Sequence, residues 1–109
     1  MNSADLPTES SANFSPAAER DLLEIVEWIA NDNPIAAKGF VVAVEKAARS
    51  IGEHPQMGTS RPDIASPPVR FLAIRGFPHV VVYTPDRTPP LIIRILHGAR
   101  DLPEVLGGI

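Results

Sequence analysis

Twelve prolines divide this chain, and between them they decide where regular structure can form. Proline fixes its own φ and lacks an N–H, so it marks helix starts, turns and sheet edges rather than interiors. Prolines at 7, 16, 34, 55, 62, 67, 68, 78, 85, 89, 90 and 103 leave five long uninterrupted segments: 17–33, 35–54, 69–77, 79–84 and 91–102. The share of proline is about twice the ordinary ~5%. Its placement between periodic segments makes it punctuation rather than low complexity.

The first two segments read as helices. Ser15-Pro16 offers a capping hydroxyl followed by proline at the first helical position, where no N–H is missed. Glu19, Asp21 and Glu24 follow where the helix dipole favours negative charge, and Leu22, Ile25, Val26 and Ile29 form one apolar stripe. Asn33-Pro34 ends this helix and caps the next, whose Phe40, Val41, Val44, Ala47, Ala48 and Ile51 recur at helical spacing up to Gly52 and Pro55. So short a joint makes the pair a helical hairpin. Trp28 steps off the first stripe and is expected at the surface.

The later segments change period. Residues 69–74, 79–84 and 91–97 are short and rich in β-branched and aromatic residues, and two brief turn-rich links join them. Links of that length suit antiparallel neighbours, which predicts a three-stranded meander with 80–82 central. Helices followed by strands in 109 residues predict one α+β domain over 1–109, with the hairpin packed on one face of the sheet. Residues 1–13 read as an edge strand or a tail, 101–106 as a last helical turn, and 104–109 as a tail.

Charge is unevenly distributed. Residues 1–35 hold seven acids and one base, 36–75 six bases and three acids, and 76–109 three of each, for a net −3. That sum argues against a protein that lives by gripping nucleic-acid backbone. Cysteine is absent, which removes disulfides, thiolate metal sites and a cysteine nucleophile. The three histidines, 54, 79 and 97, lack the spacing of a ligand pair, so neither metal nor cofactor is expected. No apolar run reaches membrane-spanning length and the first residues lack signal-peptide character, which makes a cytoplasmic location the expectation.

Several polar residues interrupt the apolar strands or sit just beyond them. Arg94 breaks the run 91–96 and must either face solvent or be buried and paired. Arg75, His97 and Arg100 lie near strand ends and suit a patch facing a target. With His79 they are also the groups an RNA-cleaving site would use to bind phosphate and move protons. No lysine, serine or carboxylate of this half completes an acid–base pair, so no catalytic residue is assigned. His54 reads as the end of the second helix, because no partner carboxylate or nucleophile is specified beside it.

The run His97-Gly98-Ala99-Arg100-Asp101-Leu102-Pro103, preceded by Ile93-Arg94-Ile95-Leu96, resembles the ParE branch of the RelE/ParE toxin superfamily. Residues 14–22 resemble that family's entry into its first helix, Asn33-Pro34-Ile35-Ala36-Ala37 its second helix start, and His54-Pro55-Gln56-Met57-Gly58 its following turn. The matches span about residues 14–104, in the family's order and spacing.

The resemblance implies a β-α-α-β-β-β fold, hence a first strand that the sequence itself marks poorly. It also implies the toxin of a type II toxin–antitoxin module, which poisons DNA gyrase. Its partner would be a ParD-like antitoxin, a ribbon-helix-helix DNA-binding protein, in a hetero-oligomer that touches DNA only through the antitoxin. Trp28, Arg70, Phe71 and Ile74 are candidate antitoxin contacts. RelE-like relatives instead cut mRNA on the ribosome with basic residues and often a C-terminal aromatic or histidine. Here lysine occurs only at 38 and 46, Tyr83 lies within a strand, and the chain ends Gly-Gly-Ile, so a non-enzymatic toxin is expected. A ribosome-dependent endoribonuclease and a non-toxic antitoxin-binding member are the alternatives.

Overall fold

Both helices start where their caps and prolines dictate. In the computed structural model, which describes residues 11–102, Ser15 takes an extended backbone and its Oγ accepts the Ala18 N–H at 3.1 Å. Helix α1 (Pro16–Asp32) follows. Asn33 serves both helices: its N–H donates to Ile29 O at 2.8 Å, and its Oδ1 accepts from Ala36 N at 3.1 Å to begin α2 (Pro34–Glu53). His54 is the C-cap of α2, its N–H donating to Ser50 O at 2.8 Å, which is the structural role expected for it.

The sheet is larger than the expected meander. It contains β1 (Asn13–Phe14), β2 (Thr59–Ser60), β3 (Arg70–Ala73), β4 (His79–Thr84) and β5 (Leu91–His97) in the order β1-β5-β4-β3-β2. Strands β3, β4 and β5 form the antiparallel meander, with β4 central. Strand β2 adds to β3 through Thr59↔Phe71 and Ser60↔Arg70, and β1 runs parallel to β5 through Asn13↔Leu91 and Phe14↔Ile92. The first strand therefore exists, but at the last residue of the stretch suspected of forming it. Two residues are too few to show alternation, and parallel pairing needs a long connection, here everything from the helical hairpin to the end of β4. Residues 1–10 and the expected turn beyond Leu102 lie outside the described residues.

The sheet is covered on both faces. Phe40, Val44, Ala48 and Ile51 of α2 pack with Ile74, Val81, Tyr83, Ile92 and Ile95, and the α1 stripe Leu22, Ile25, Val26 and Ile29 closes over them. The opposite face carries a smaller cluster of Ala65, Phe71, Val82, Leu96 and Leu102. Ile92 and Ile95 lie three apart yet share a face, which a regular strand forbids. The pairing explains this: Val82 faces Arg94 while Tyr83 faces Ile92, so Ile93 is an extra, bulged residue. The bulge shifts the alternation by one residue and sets Arg94 opposite Val82.

Tyr83 fastens the link that follows α2. Its fully buried ring carries a hydroxyl that donates to Pro55 O at 2.7 Å and accepts from Gly58 N at 2.8 Å. Burial raises the phenol's pKa above its ordinary value. A Cβ on Gly58 would lie 2.7 Å from that hydroxyl and 3.0 Å from Phe71 O, so only glycine fits there. Tyr83→Phe strands one buried donor and one acceptor and is expected to lower the unfolding free energy by about 1–3 kcal/mol in denaturant titration. An unchanged midpoint would refute the fastening.

Candidate functional site

The site is built at the outer edge of β5. A strand edge presents unpaired N–H groups, and β1 covers only the first two residues of this one. Beyond them, side chains take over. Asp21 of α1 accepts the Ile95 N–H at 2.9 Å and, through both oxygens, Arg94 Nε at 2.7 Å and Nη2 at 3.0 Å. Asp101 accepts the His97 N–H at 3.0 Å, and Ser15 Oγ donates to Ile93 O at 2.9 Å. Two carboxylates and a hydroxyl thus occupy the edge where another strand would pair.

Arg94 is therefore paired, the second of the two outcomes expected of it. Its bidentate hydrogen bonding to Asp21 raises the guanidinium pKa and keeps it charged. Its place early in the helix marks Asp21 in the sequence only as a dipole-favoured acid. A sequence signal for the pair did exist: Asp21 falls on the buried side of α1 four residues before Ile25, as unusual among apolar residues there as Arg94 is in β5.

Between α1 and the end of β5 lies a groove of about 480 Å³, walled by Asp21, Glu24 and Trp28 on one side and by Arg94, His97 and Arg100 on the other. His79 and Pro78 form its end. Trp28 is 74% exposed, as the sequence suggested. His79 and His97 face each other across the β4–β5 ladder with ring centroids 5.5 Å apart, and Phe40 meets His79 edge-on at 5.0 Å. Burial, reinforced by the positive charge of His97 and Arg100, lowers the His79 pKa despite the opposing Asp101, and its Nδ1 is buried without a partner. His97 Nδ1 accepts the Arg100 N–H at 3.2 Å. Burial pushes the Asp101 carboxyl up, but the His97 amide and the Arg100 guanidinium outweigh it and hold its pKa below the ordinary value.

The structure brings some of the sequence-selected residues together and separates others. His97 and Arg100 join Trp28 in this groove. Arg75 stands across the sheet, in a second groove between α2 and β3. Of the residues selected as antitoxin contacts, Ile74 (2% exposed) lies beneath the helices and Phe71 (8%) in the opposite layer. Arg70 donates to the carbonyls of Gln56 and Gly58. Trp28 is the one of these four that is freely exposed. The reason is periodicity: Phe71 and its β3 neighbour Leu72 address opposite, covered faces of the sheet, and Ile74 follows on the helix side. Among the described residues, no cluster of His, Asp and Glu could hold a metal ion, and no helix is long and apolar enough to cross a membrane.

A two-helix hairpin on one face of a mixed sheet, with a groove of mixed charge between the first helix and the outer strand, defines an α+β domain. The model of the family described as "ParE toxin of type II toxin-antitoxin system, parDE" matches residues 12–102, and the chain belongs to that family. A solved structure described as "Chromosomal ParDE TA system from P. aeruginosa" is similar in fold, with a TM-score of 0.68 and 22% identity over 80% of this chain and 94% of that one. No curated protein sequence matches.

Two outcomes follow from this geometry. Asp21→Ala leaves a guanidinium and an edge amide without their acceptor and is expected to cost roughly 2–4 kcal/mol of stability in chemical unfolding; a cost near zero would show the pair to be dispensable. His79 carries a depressed pKa, so the unfolded chain binds its proton first on acidification. Stability should therefore fall as pH drops below about 6.5 towards the folded-state value. His79→Gln should flatten that part of the stability–pH curve, and an unaltered slope would exclude His79 as its source.

Proposed function

We propose that the chain is the toxin of a type II module, acting by binding DNA gyrase and held inactive in a cytoplasmic hetero-oligomer by a ParD-like antitoxin. The observation that carries this reading is the groove at β5, where family membership coincides with an exposed, donor-rich patch. The largely exposed Arg100 guanidinium, which reaches Asp101 at 3.4 Å, the His97 ring and the exposed Trp28 indole form a surface of the kind that anchors protein partners, since Trp and Arg dominate the energetics of such contacts. The opposite wall carries Asp21 and Glu24, an arrangement better suited to a protein with mixed charges than to a polyanion.

No catalytic group is assigned. The imidazoles of His79 and His97 stand against each other, Arg94 is committed to Asp21, and the one tyrosine is fully buried as a structural hydroxyl. DNA enters only through the antitoxin, whose ribbon-helix-helix part would hold the operator. Arg75, across the sheet, does not belong to the target-facing patch in this reading.

The test is induction of the chain in cells with and without its antitoxin, with supercoiling by purified gyrase and transcript integrity followed in parallel. Growth arrest with inhibited supercoiling and intact transcripts is expected. His97→Ala combined with Arg100→Ala should relieve the arrest and weaken gyrase inhibition by roughly tenfold or more, as the loss of a hot spot does, while the thermal melt stays near that of the unchanged protein. Cleaved transcripts with unaffected supercoiling would replace this function by ribonuclease activity. Harmless expression without antitoxin would leave only a binding role.

A further inference from the structure

Four aromatic rings meet edge to face in a row that ends at the β5 groove. Phe77 meets the fully buried Phe40 of α2 at 5.0 Å between centroids, Phe40 meets His79 at 5.0 Å, and His79 meets His97 at 5.5 Å. His79 and His97 are direct partners on β4 and β5, and Gly98 N donates to Pro78 O at 2.9 Å just beyond them. That bond makes the two histidines a non-hydrogen-bonded pair, the kind whose facing side chains stand closest. It is also a backbone tie between the link at 74–78 and the turn at 98–101, which carries Arg100.

This row has no place for a charge on His79. Its Nδ1 is buried without a hydrogen-bond partner. A neutral imidazole carries one N–H and a protonated one carries two, so protonation guarantees a buried donor with no acceptor. The surroundings offer little compensation. On β5 and the turn after it, Arg94 and Arg100 are cationic, and His97 becomes so in acid. From α2 the Phe40 ring, which bears no charge, packs against it. Of the groove's carboxylates, Asp21 is held by Arg94 and the Ile95 amide, and Asp101 by the His97 amide and Arg100. Glu24 stands on the α1 wall. Burial, with the positive charges of His97 and Arg100, outweighs Asp101 and lowers the imidazole's pKa.

We propose that the His79–His97 pair is an acid-released latch that holds the end of the β5 groove in shape. With His79 neutral, its ring fills the space between Phe40 and His97 and keeps the link at 74–78 against the turn at 98–101. Once protonated, the ring leaves that space for water, where both of its N–H groups find acceptors. The bond from Gly98 to Pro78 opens with it, and His97 and Arg100 lose their fixed positions across from Trp28. The helical hairpin and the central strand stay folded, because Phe40, Val81 and Ile95 keep the rest of their core contacts. The groove is therefore complete at neutral pH and loses its end in acid. The latch acts on the groove itself and does not depend on which partner the groove receives.

The experiment follows the full chain by NMR from about pH 7.5 to about pH 5, a range that brackets the ordinary histidine titration. It reads the His79 imidazole directly, together with amide exchange at Gly98 and Val81 corrected for the intrinsic pH dependence of exchange. The expected result is that protection at Gly98 falls by up to about tenfold per pH unit as His79 titrates, while Val81 keeps its protection. The emission of Trp28, the one tryptophan of the chain, should change over the same range. His79→Phe keeps a ring in the row and cannot be protonated, so Gly98 should stay protected throughout. His79→Gln is equally unable to gain a charge and serves as a second test should the phenylalanine variant fold poorly. A fall at Gly98 that persists in both variants, Gly98 protection unchanged down to about pH 5, or joint loss at Gly98 and Val81 would each overturn the proposal.

Discussion

Asp21 is the point on which the architecture turns. A carboxylate on the buried side of α1 reaches the edge of the strand that ends the sheet, accepts one backbone amide there, and holds Arg94 with both oxygens. A lone carboxylate so nearly buried would be costly, and so would an amide at an uncovered edge. Together they satisfy each other. The contact fixes α1 against β5 and the hairpin on its face of the sheet. It also creates one wall of the groove that His97, Arg100 and Trp28 complete. Ser15 extends the same clamp: its hydroxyl caps α1 and at the same time donates to Ile93.

Local chemistry was readable from the sequence wherever one residue type decides one torsion or one cap. Helix boundaries followed from Ser15-Pro16 and Asn33-Pro34, and β4 and β5 began and ended where their flanking turns placed them. The parts that escaped depend on distance along the chain or on very short elements. Strands β1 and β2 have two residues each, too few for any period to register. The bulge at Ile93 leaves no mark of its own, yet it reverses which β5 side chains face the helices. Asp21 and Arg94 are 73 positions apart, so each alone suggested a different fate. At the candidate site His97, Arg100 and Trp28 were legible as polar or aromatic residues out of keeping with their surroundings, and they do converge. Arg75 met the same criterion but belongs to the other flank, because composition does not say which edge of a sheet a residue will occupy.

The two grooves divide the surface chemically. One has mixed charge, aromatic walls and a backbone edge saturated by aspartates. The other is apolar and cationic at its rim. The first groove is lined by residues of α1 and the second by residues of α2, so the two lie on different flanks of the helical hairpin. The acidic first third of the chain, which weighed against nucleic-acid binding, supplies Asp21, Glu24 and the other acids of α1. The more basic middle supplies Lys46 and Arg75. The net charge of −3 thus conceals an uneven distribution between two surfaces.

The parallel pairing of β1 with β5 also orders events in time. Residues near 13 and 21 can find their partners only when the strand at 91–97 has been synthesised, because nothing earlier in the chain offers the Ile92 carbonyl, the Ile95 amide or the Arg94 guanidinium. The helical hairpin is local and can form while translation continues; closing the sheet requires contacts across most of the sequence. The β5 groove is therefore the last part of the molecule to be completed. A growing chain carries half of it, and a truncated one never acquires it, so a prematurely terminated product would be without the surface that this groove presents.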